Sequence, residues 1–571
     1  MSAVNREFVV LGASVLPMGD PARRCDAIAV RDGRILAVGS EKEALAAAGA
    51  AAERITCPGG AVLPGFIDAH HHLMPSVLYG GGFHLDAVQN LEELLTALRT
   101  AARAVPPGEF VVAHGYDPWK LTEQRHPTRS ELDEACPDHP VLAVEYSFHE
   151  GVANTRALAR AAFDERSEPP RGGIIGRDRR GRLDGHLAET ALYVVEAIAR
   201  HEMMTRDETR VLADLAVFQR RLFAMGITRI CDAAVAPQTE ALYHRALAEG
   251  RLHIPVVMMP ISGTGIALPP HDRLEGAPTG EGSDSLKVGP LKLLFDGASR
   301  CAMCLSVLQL LQTSTKVVAS ALTGRSLLPL RDALSLRARI GSDFRVRTGE
   351  RFYTHAGAVA MVKAAHDRGF SVGIHAIGNE AVEYALDAFA AAGPSRAGSP
   401  PPRIEHGFSI TRAQARRAAD LGVVFVLQPD FLRLPVMERL PRPRGLLFAA
   451  ARTLLDAGVS VVASSDAPAA GFDPLDGVRS ALRRRTRSGL VIQEDESIGV
   501  LETLCAYTRD AARACGVEST TGTLEPGKRA DFVILNRDPA LVDDASIDDL
   551  RVDQTFLAGR RVHLRGVTET P

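Results

Sequence analysis

The 571-residue chain has no excess of either charge: 66 Lys and Arg stand against 69 Asp and Glu, a net charge of −3. A near-neutral surface gives no electrostatic reason to expect nucleic acid or an anionic membrane as a partner. No apolar run reaches the roughly 18 residues that a membrane-spanning helix requires. The start of the chain has no secretory pattern, since Arg6 and Glu7 precede only a short strand-like run, Phe8 to Leu11. Cysteine is scarce. The eight residues (Cys25, Cys57, Cys136, Cys231, Cys301, Cys304, Cys505 and Cys515) sit mostly in apolar segments, which fits reduced thiols and a cytoplasmic location better than a disulfide framework. Internal repeats are absent, and the one linker-like tract is SRAGSPPP (395–402). With 46% apolar and 24% charged residues, most of the chain is neither disordered nor fibrous. It can fill a large core without covalent staples.

The two ends are alike in kind. AIAVRDGRILAV (27–38) reads as two short strands about a tight Asp32-Gly33 turn, and ADFVILN (530–536) and TFLAGRRVHL (555–564) repeat the β pattern near the other end. Residues 1–60 and 515–571 are therefore expected to form one small β-sandwich domain. Between them lie eight short apolar runs suited to buried parallel strands: 61–70, 226–233, 254–259, 291–297, 371–376, 403–407, 423–429 and 459–467. Their spacing predicts an α/β fold, a (β/α)8 TIM-like barrel over 61–514. About 80–200 is too long for one crossover and contains EFVVAHG (109–115) and PVLAVEYS (140–147), so it is read as an inserted subdomain. A second long connection, roughly 301–355, suits a cap on the pocket or a contact between subunits, with a homodimer the favoured oligomer. Its Leu308, Leu310 and Leu311 offer apolar contact, and Arg325, Arg331 and Arg337 are spaced among further leucines.

Several runs end in polar side chains, and the C-terminal ends of barrel strands form the active-site face. In PGFIDAHHHL (64–73), alternation aims His70 and His72 at one point and turns His71 away, giving half of a site for Zn²⁺ or a similar ion. A chance histidine run explains the triplet almost as well. His375, His406 and Asp466 end the fifth, sixth and eighth runs. Each is weak alone, because a lone histidine in an apolar run is more often a satisfied core residue. Their agreement with the strand count gives them weight together. Lys292, in the fourth run, either snorkels to solvent, pairs with Asp296, or is buried with a depressed pKa. A buried amine can take up CO₂ as a carbamate, an anionic ligand able to bridge two cations.

VRDGRILAVG, LPGFIDAHHHL, HPTRSELDEACPDHPVL, ANTRAL, GITRICDA, LKLLFDG, IHAIGNEAV, RIEHG, SSDAP and GTLEPGKRADFVIL span nearly the whole chain. Through them the sequence resembles the metal-dependent amidohydrolase superfamily, in the branch that includes N-substituted formamide deformylases (amidohydrolase family 3). The resemblance implies one or two divalent ions, zinc foremost. His70 and His72 would hold the first ion, His375 and His406 the second. Lys292, carboxylated, would bridge them, and Asp466 would touch the first ion and the attacking water. Glu189 and His149 fall where relatives often carry similar groups and are pocket or ligand candidates. Two stretches depart from the usual pattern, DGASRCAMCLS (296–306) and RIEHGF, which bring Cys301, Cys304 and Phe408 close to the expected pocket.

The implied activity is hydrolysis of a non-peptide C–N bond, amide or formamide, in a small organic substrate. Asp466 would shuttle a proton to the departing amine, which is a poor leaving group without one. The same site would also serve ring deamination, lactone opening or decarboxylation. A barrel that had lost its metals would lack ligands, yet all six positions are filled. A serine hydrolase is unsupported, since SSDAP is no G-x-S-x-G elbow.

Overall fold

The computed structural model describes residues 7–567 apart from 21–22, 81–82, 262–272, 299, 324–329, 331–332 and 334–337. Short β-branched runs bounded by glycine give eight successive parallel strands: β1 (Phe66–His71), β2 (Ile227–Val235), β3 (Val256–Pro260), β4 (Leu291–Leu294), β5 (Val372–Ala376), β6 (Arg403–His406), β7 (Val424–Leu427) and β8 (Val461–Ala463). One parallel ladder joins β1, β2 and β3, and a second runs from β4 to β8 in chain order. An isolated parallel bridge links Ile261, after β3, to Lys292 in β4. Beyond β8, the Asp466 N–H donates to the His70 carbonyl (2.8 Å), and the His72 N–H donates to that of Ala467 (2.9 Å). Ile67, Ala69, Cys231, Ala233, Val257, Met259, Val424, Val426 and Val462 share one apolar cluster, floored by the helix Arg509–Ala514. The arrangement is a TIM-barrel-like α/β fold.

The first expected run is really two strands. Ala61–Pro64 belongs to the sheet of the chain ends, and Gly65 turns the backbone into β1. A Cβ at Gly65 would lie 2.2 Å from Thr228 Oγ1, so only glycine allows that approach. Both chain ends enter one eight-stranded sheet, in which Ala61–Pro64 pairs with Glu7–Val15 on one side and Phe532–Leu535 on the other. Asp32 and Gly33, with φ of 51° and 77°, make the expected tight turn between Cys25–Arg31 and Arg34–Gly39. Phe8 meets Phe556 at 5.5 Å between ring centroids, although two strands separate them in the ladder, so the sheet curls over its apolar face.

Between β1 and β2 stands a six-stranded sheet in the order Ile174–Arg177, Leu183–Ala188, Glu150–Ala153, Val141–Glu145, Val111–Tyr116 and Phe83–His84. In the long connection after β4, Met303–Leu305, Arg339–Ile340 and Val346–Thr348 form a three-stranded sheet. The helix Val307–Thr323 beside it leaves Leu308 and Leu322 63% and 74% exposed. Arg325, Arg331 and Arg337 lie outside the described residues. Among the described residues, no helix is long and apolar enough to cross a membrane.

Candidate metal centre

The histidines of β1 reach the mouth through a break in register. Asp68 pairs with Ile230 and His71 with Asp232, so β1 carries one extra residue between them. Such a bulge rotates the following side chains. It brings His70 and His72 to the mouth, while His71 turns out against Phe218 and Phe472 and its Nδ1 meets Asp68 at 2.9 Å. At the ends of β6 and β8, His406 and Asp466 adopt φ of 72° and 58°, a left-handed conformation unfavourable for residues with a side chain. Strain of this kind persists where the surroundings fix it, as they do here.

Each imidazole is held by a partner on its far nitrogen. His72 Nδ1 donates to the Ala233 carbonyl (2.9 Å), and His70 Nδ1 pairs with Glu405 Oε2 (2.6 Å). His406 Nδ1 donates to Gln428 Oε1 (2.8 Å), whose Nε2 is committed to the Val426 carbonyl and Ser464 Oγ. With Nδ1 committed to an acceptor, each of these rings turns Nε2 inward, the atom through which an oriented imidazole ligates a metal. Burial above all pushes His70 down to about 4 and His406 down to about 3, so both are neutral at pH 7.

These Nε2 atoms surround an orphaned carboxylate oxygen. Asp466 Oδ1 lies 3.3 Å from His70 Nε2 and 3.2 Å from His72 Nε2. Those separations suit an ion pair, but Oδ1 is buried and makes no hydrogen bond to either ring. Acceptors this close repel one another unless a cation lies among them. Donors about 2.1 Å from a tetrahedral zinc stand about 3.4 Å apart, close to the spacing found. His70, His406 and Asp466 all offer ligand atoms within 4.8 Å of one another. His375 adds a buried Nε2 without a hydrogen-bond partner, and its ring lies 4.5 Å from that of His406. Among the described residues, the three-ligand grouping thus takes one histidine from each of the two expected ions.

Lys292 is buried, and its Nζ donates to His70 Nε2 at 3.1 Å. The Asp296 carboxylate instead accepts from the N–H groups of Ala302, Ile377 and Gly378. Burial, opposed by Glu405 and Asp466, brings Lys292 down to about 8. Beneath the site, Arg403 donates Nη2 to Glu405 Oε2 (2.8 Å) and to the Ala69 carbonyl (2.7 Å). Burial favours the acid form of Glu405, but Arg403 and His70 outweigh it and hold the carboxyl far below its ordinary range. A Cβ at Gly373 would fall 2.7 Å from Glu405 Oε1, so the small residue makes room for this pair. Glu405 is the residue that sequence reasoning missed. It lies two positions after Arg403 in RIEH, on the same inward face.

A cavity of about 170 Å³ opens on His72, Lys292, His375, His406 and Asp466. Its outer wall is His149 and Tyr193, from the inserted sheet and the helix after it. Glu189 stands wholly buried behind them, with Oε2 2.7 Å from His149 Nδ1 and accepting from Tyr193 Oη at 3.0 Å. Burial pulls His149 down, but Glu189 prevails and raises it above the usual histidine value. No described residue of 301–355 lines the cavity. Cys304 Sγ lies 3.0 Å from Arg345 Nε, and both cysteines of the C-x-x-C pair are free thiols.

A model of the amidohydrolase family matches residues 55–563. The chain belongs to that family. It is an enzyme, a hydrolase of carbon–nitrogen bonds whose site is built for a divalent metal ion. It is similar to the N-substituted formamide deformylase of Arthrobacter pascens, 29% identical over 97% of this chain and 98% of the relative. Among solved structures it resembles a metal-dependent hydrolase from Pyrococcus horikoshii (22% identity, TM-score 0.68, covering 94% of this chain and 99% of that one). Another is the zinc complex of the atrazine chlorohydrolase TrzN from Arthrobacter aurescens (14% identity, TM-score 0.52, 98% and 97%). At these identities the solved structures speak for the fold.

Proposed function

We propose that this amidohydrolase cleaves an amide or formamide bond of a small organic substrate, using zinc held by His70, His72, His406 and Asp466, with His375 and a carboxylated Lys292 completing a second position. The buried Asp466 Oδ1, without a hydrogen bond yet close to the Nε2 atoms of His70 and His72, carries this reading. When bound, the divalent ion supplies a water acidic near pH 7 and polarises the substrate carbonyl. Asp466 accepts the proton of the attacking water and passes it to the nitrogen of the leaving amine, one carboxylate serving as base and then acid. His149, held by Glu189 and Tyr193, faces the same cavity and is placed to donate to the carbonyl oxygen. Met74, Tyr79, Phe148, Met204, Val235 and Ile261 line part of the remainder, an apolar stretch suited to an aliphatic or aromatic N-substituent, beside the polar Ser147, Glu196, Arg200, Asp232 and Thr239. The depressed pKa of buried Lys292 supports carboxylation, in which the neutral amine adds to CO₂ and releases one proton. The two strand ladders are read as one closed ring and the curled sheet of the chain ends as a β-sandwich. The exposed apolar face of Val307–Thr323 is read as the contact of a homodimer.

The deciding experiment pairs elemental analysis of the purified protein with product analysis on N-formyl, N-acyl, lactone and aminopurine compounds. Amine release from the N-acyl series by a metal-loaded enzyme is expected. Turnover confined to lactones or ring amines moves the site to another reaction, and a metal-free active protein removes the mechanism.

A further inference from the structure

On the inserted sheet, outside the lining of the cavity, three side chains converge that the reaction does not use. His126 comes from the loop before the helix Arg129–Ala135, Glu150 from Glu150–Ala153 and His186 from Leu183–Ala188. His186 Nε2 lies 3.0 Å from Glu150 Oε2 and His126 Nε2 lies 3.6 Å from the same oxygen. The two rings are 4.7 Å apart, and one ligand atom from each residue fits within 4.8 Å of the others. Tyr116 Oη holds His126 Nδ1 at 2.8 Å, the outer partner that orients a ligating imidazole. All three side chains are about one-fifth exposed, so an ion can enter and a water can complete the shell.

We propose that His126, Glu150 and His186 bind a further divalent transition-metal ion such as zinc, at a site separate from the centre at the barrel mouth. Two imidazoles and one carboxylate form a donor set suited to zinc with an open fourth position. The placement gives the ion a role. Glu150–Ala153 and Leu183–Ala188 pair antiparallel, with Glu150 opposite Ala188 and Val152 opposite His186. One residue beyond each strand, the Glu189 N–H donates to the His149 carbonyl at 2.8 Å. The ion would therefore pin the two strands that carry His149 and Glu189 to the cavity wall.

Metal content tests this directly. The zinc-loaded holoenzyme and its His126→Gln/His186→Gln variant are compared by elemental analysis, in the natural background and in one carrying His70→Ala/His72→Ala. In both backgrounds the variant should hold one equivalent less. Its kcat should fall less than tenfold, and its unfolding temperature should drop. Equal metal content with and without the two histidines overturns the site. If that variant does not fold, anomalous scattering at the zinc edge from crystals of the natural protein decides. A peak among the three side chains supports the proposal, and none there at full occupancy of the barrel mouth refutes it.

Discussion

At the barrel mouth, His70, His72 and His406 each commit Nδ1 to an acceptor of the protein and turn Nε2 inward. In the inserted sheet, His126 and His186 turn Nε2 toward a single carboxylate, Glu150. The residue types are the same and the electrostatics differ. Burial above all holds His70 and His406 neutral, so the mouth gathers acceptor nitrogens beside Asp466, with Lys292 Nζ meeting His70 Nε2. In the sheet cluster, about one-fifth exposed, His186 and His126 overcome burial and bring Glu150 down to about 2, an arrangement that also satisfies itself as ion pairs. The lesson is that depth and the partner on the far nitrogen, more than composition, separate a catalytic centre from a structural one.

Removing ligands from the mouth should widen that contrast most. His70→Ala/His72→Ala is expected to lose the active-site ion and turnover together, measured by elemental analysis and kcat. Full turnover in that variant would empty the assignment. Asp466→Asn keeps an oxygen in place but cannot carry the proton, so kcat on an alkyl amide should fall by about 10²–10⁴-fold with most metal retained. The loss should shrink for aryl amides, whose amines leave more easily. A loss of metal in step with activity would make Asp466 a ligand only.

Glu405→Gln probes the partner behind His70. Such outer partners are typically worth about 10–100-fold in metal affinity. Competition with a chelator should show this, while kcat at saturating metal changes little; an unaltered affinity would make Glu405 a packing residue. A gentler effect concerns pH in the metal-free protein. His70 and His406 have folded pKa values below the reference of 6.5, at about 4 and 3, so the unfolded chain binds more protons across that window. Their contribution to stability is complete above about pH 6.5 and is lost as pH falls toward 4. Thermal unfolding of apo-protein between pH 4 and 7 should show the slope, and bound metal should steepen it. A flat profile would mean that these imidazoles are not buried in the neutral form.

The sequence made the TIM-barrel-like fold legible because its strands are short and apolar, and because four of them end in His or Asp. The split at Gly65 was not legible, since AVLPGFIDAH is one unbroken apolar run until Thr228 crowds the turn. Alternation named His70 and His72, but the bulge in β1 is what places them, and a bulge is a property of the pairing with β2. Glu405 was hidden because a carboxylate in a strand carries no mark of its function until a histidine 335 residues away meets it. For the connection 301–355, leucine content could not decide between capping a pocket and facing outward.

Local chemistry therefore determined the family, the strand order and which side chains could bind a metal, since strand period and residue type are properties of neighbours in the chain. Tertiary structure alone decided which lone pairs face one another, which histidines stay neutral and where the sheet cluster forms. Those outcomes depend on burial and on distances of a few ångströms between residues far apart in sequence, which no local pattern encodes.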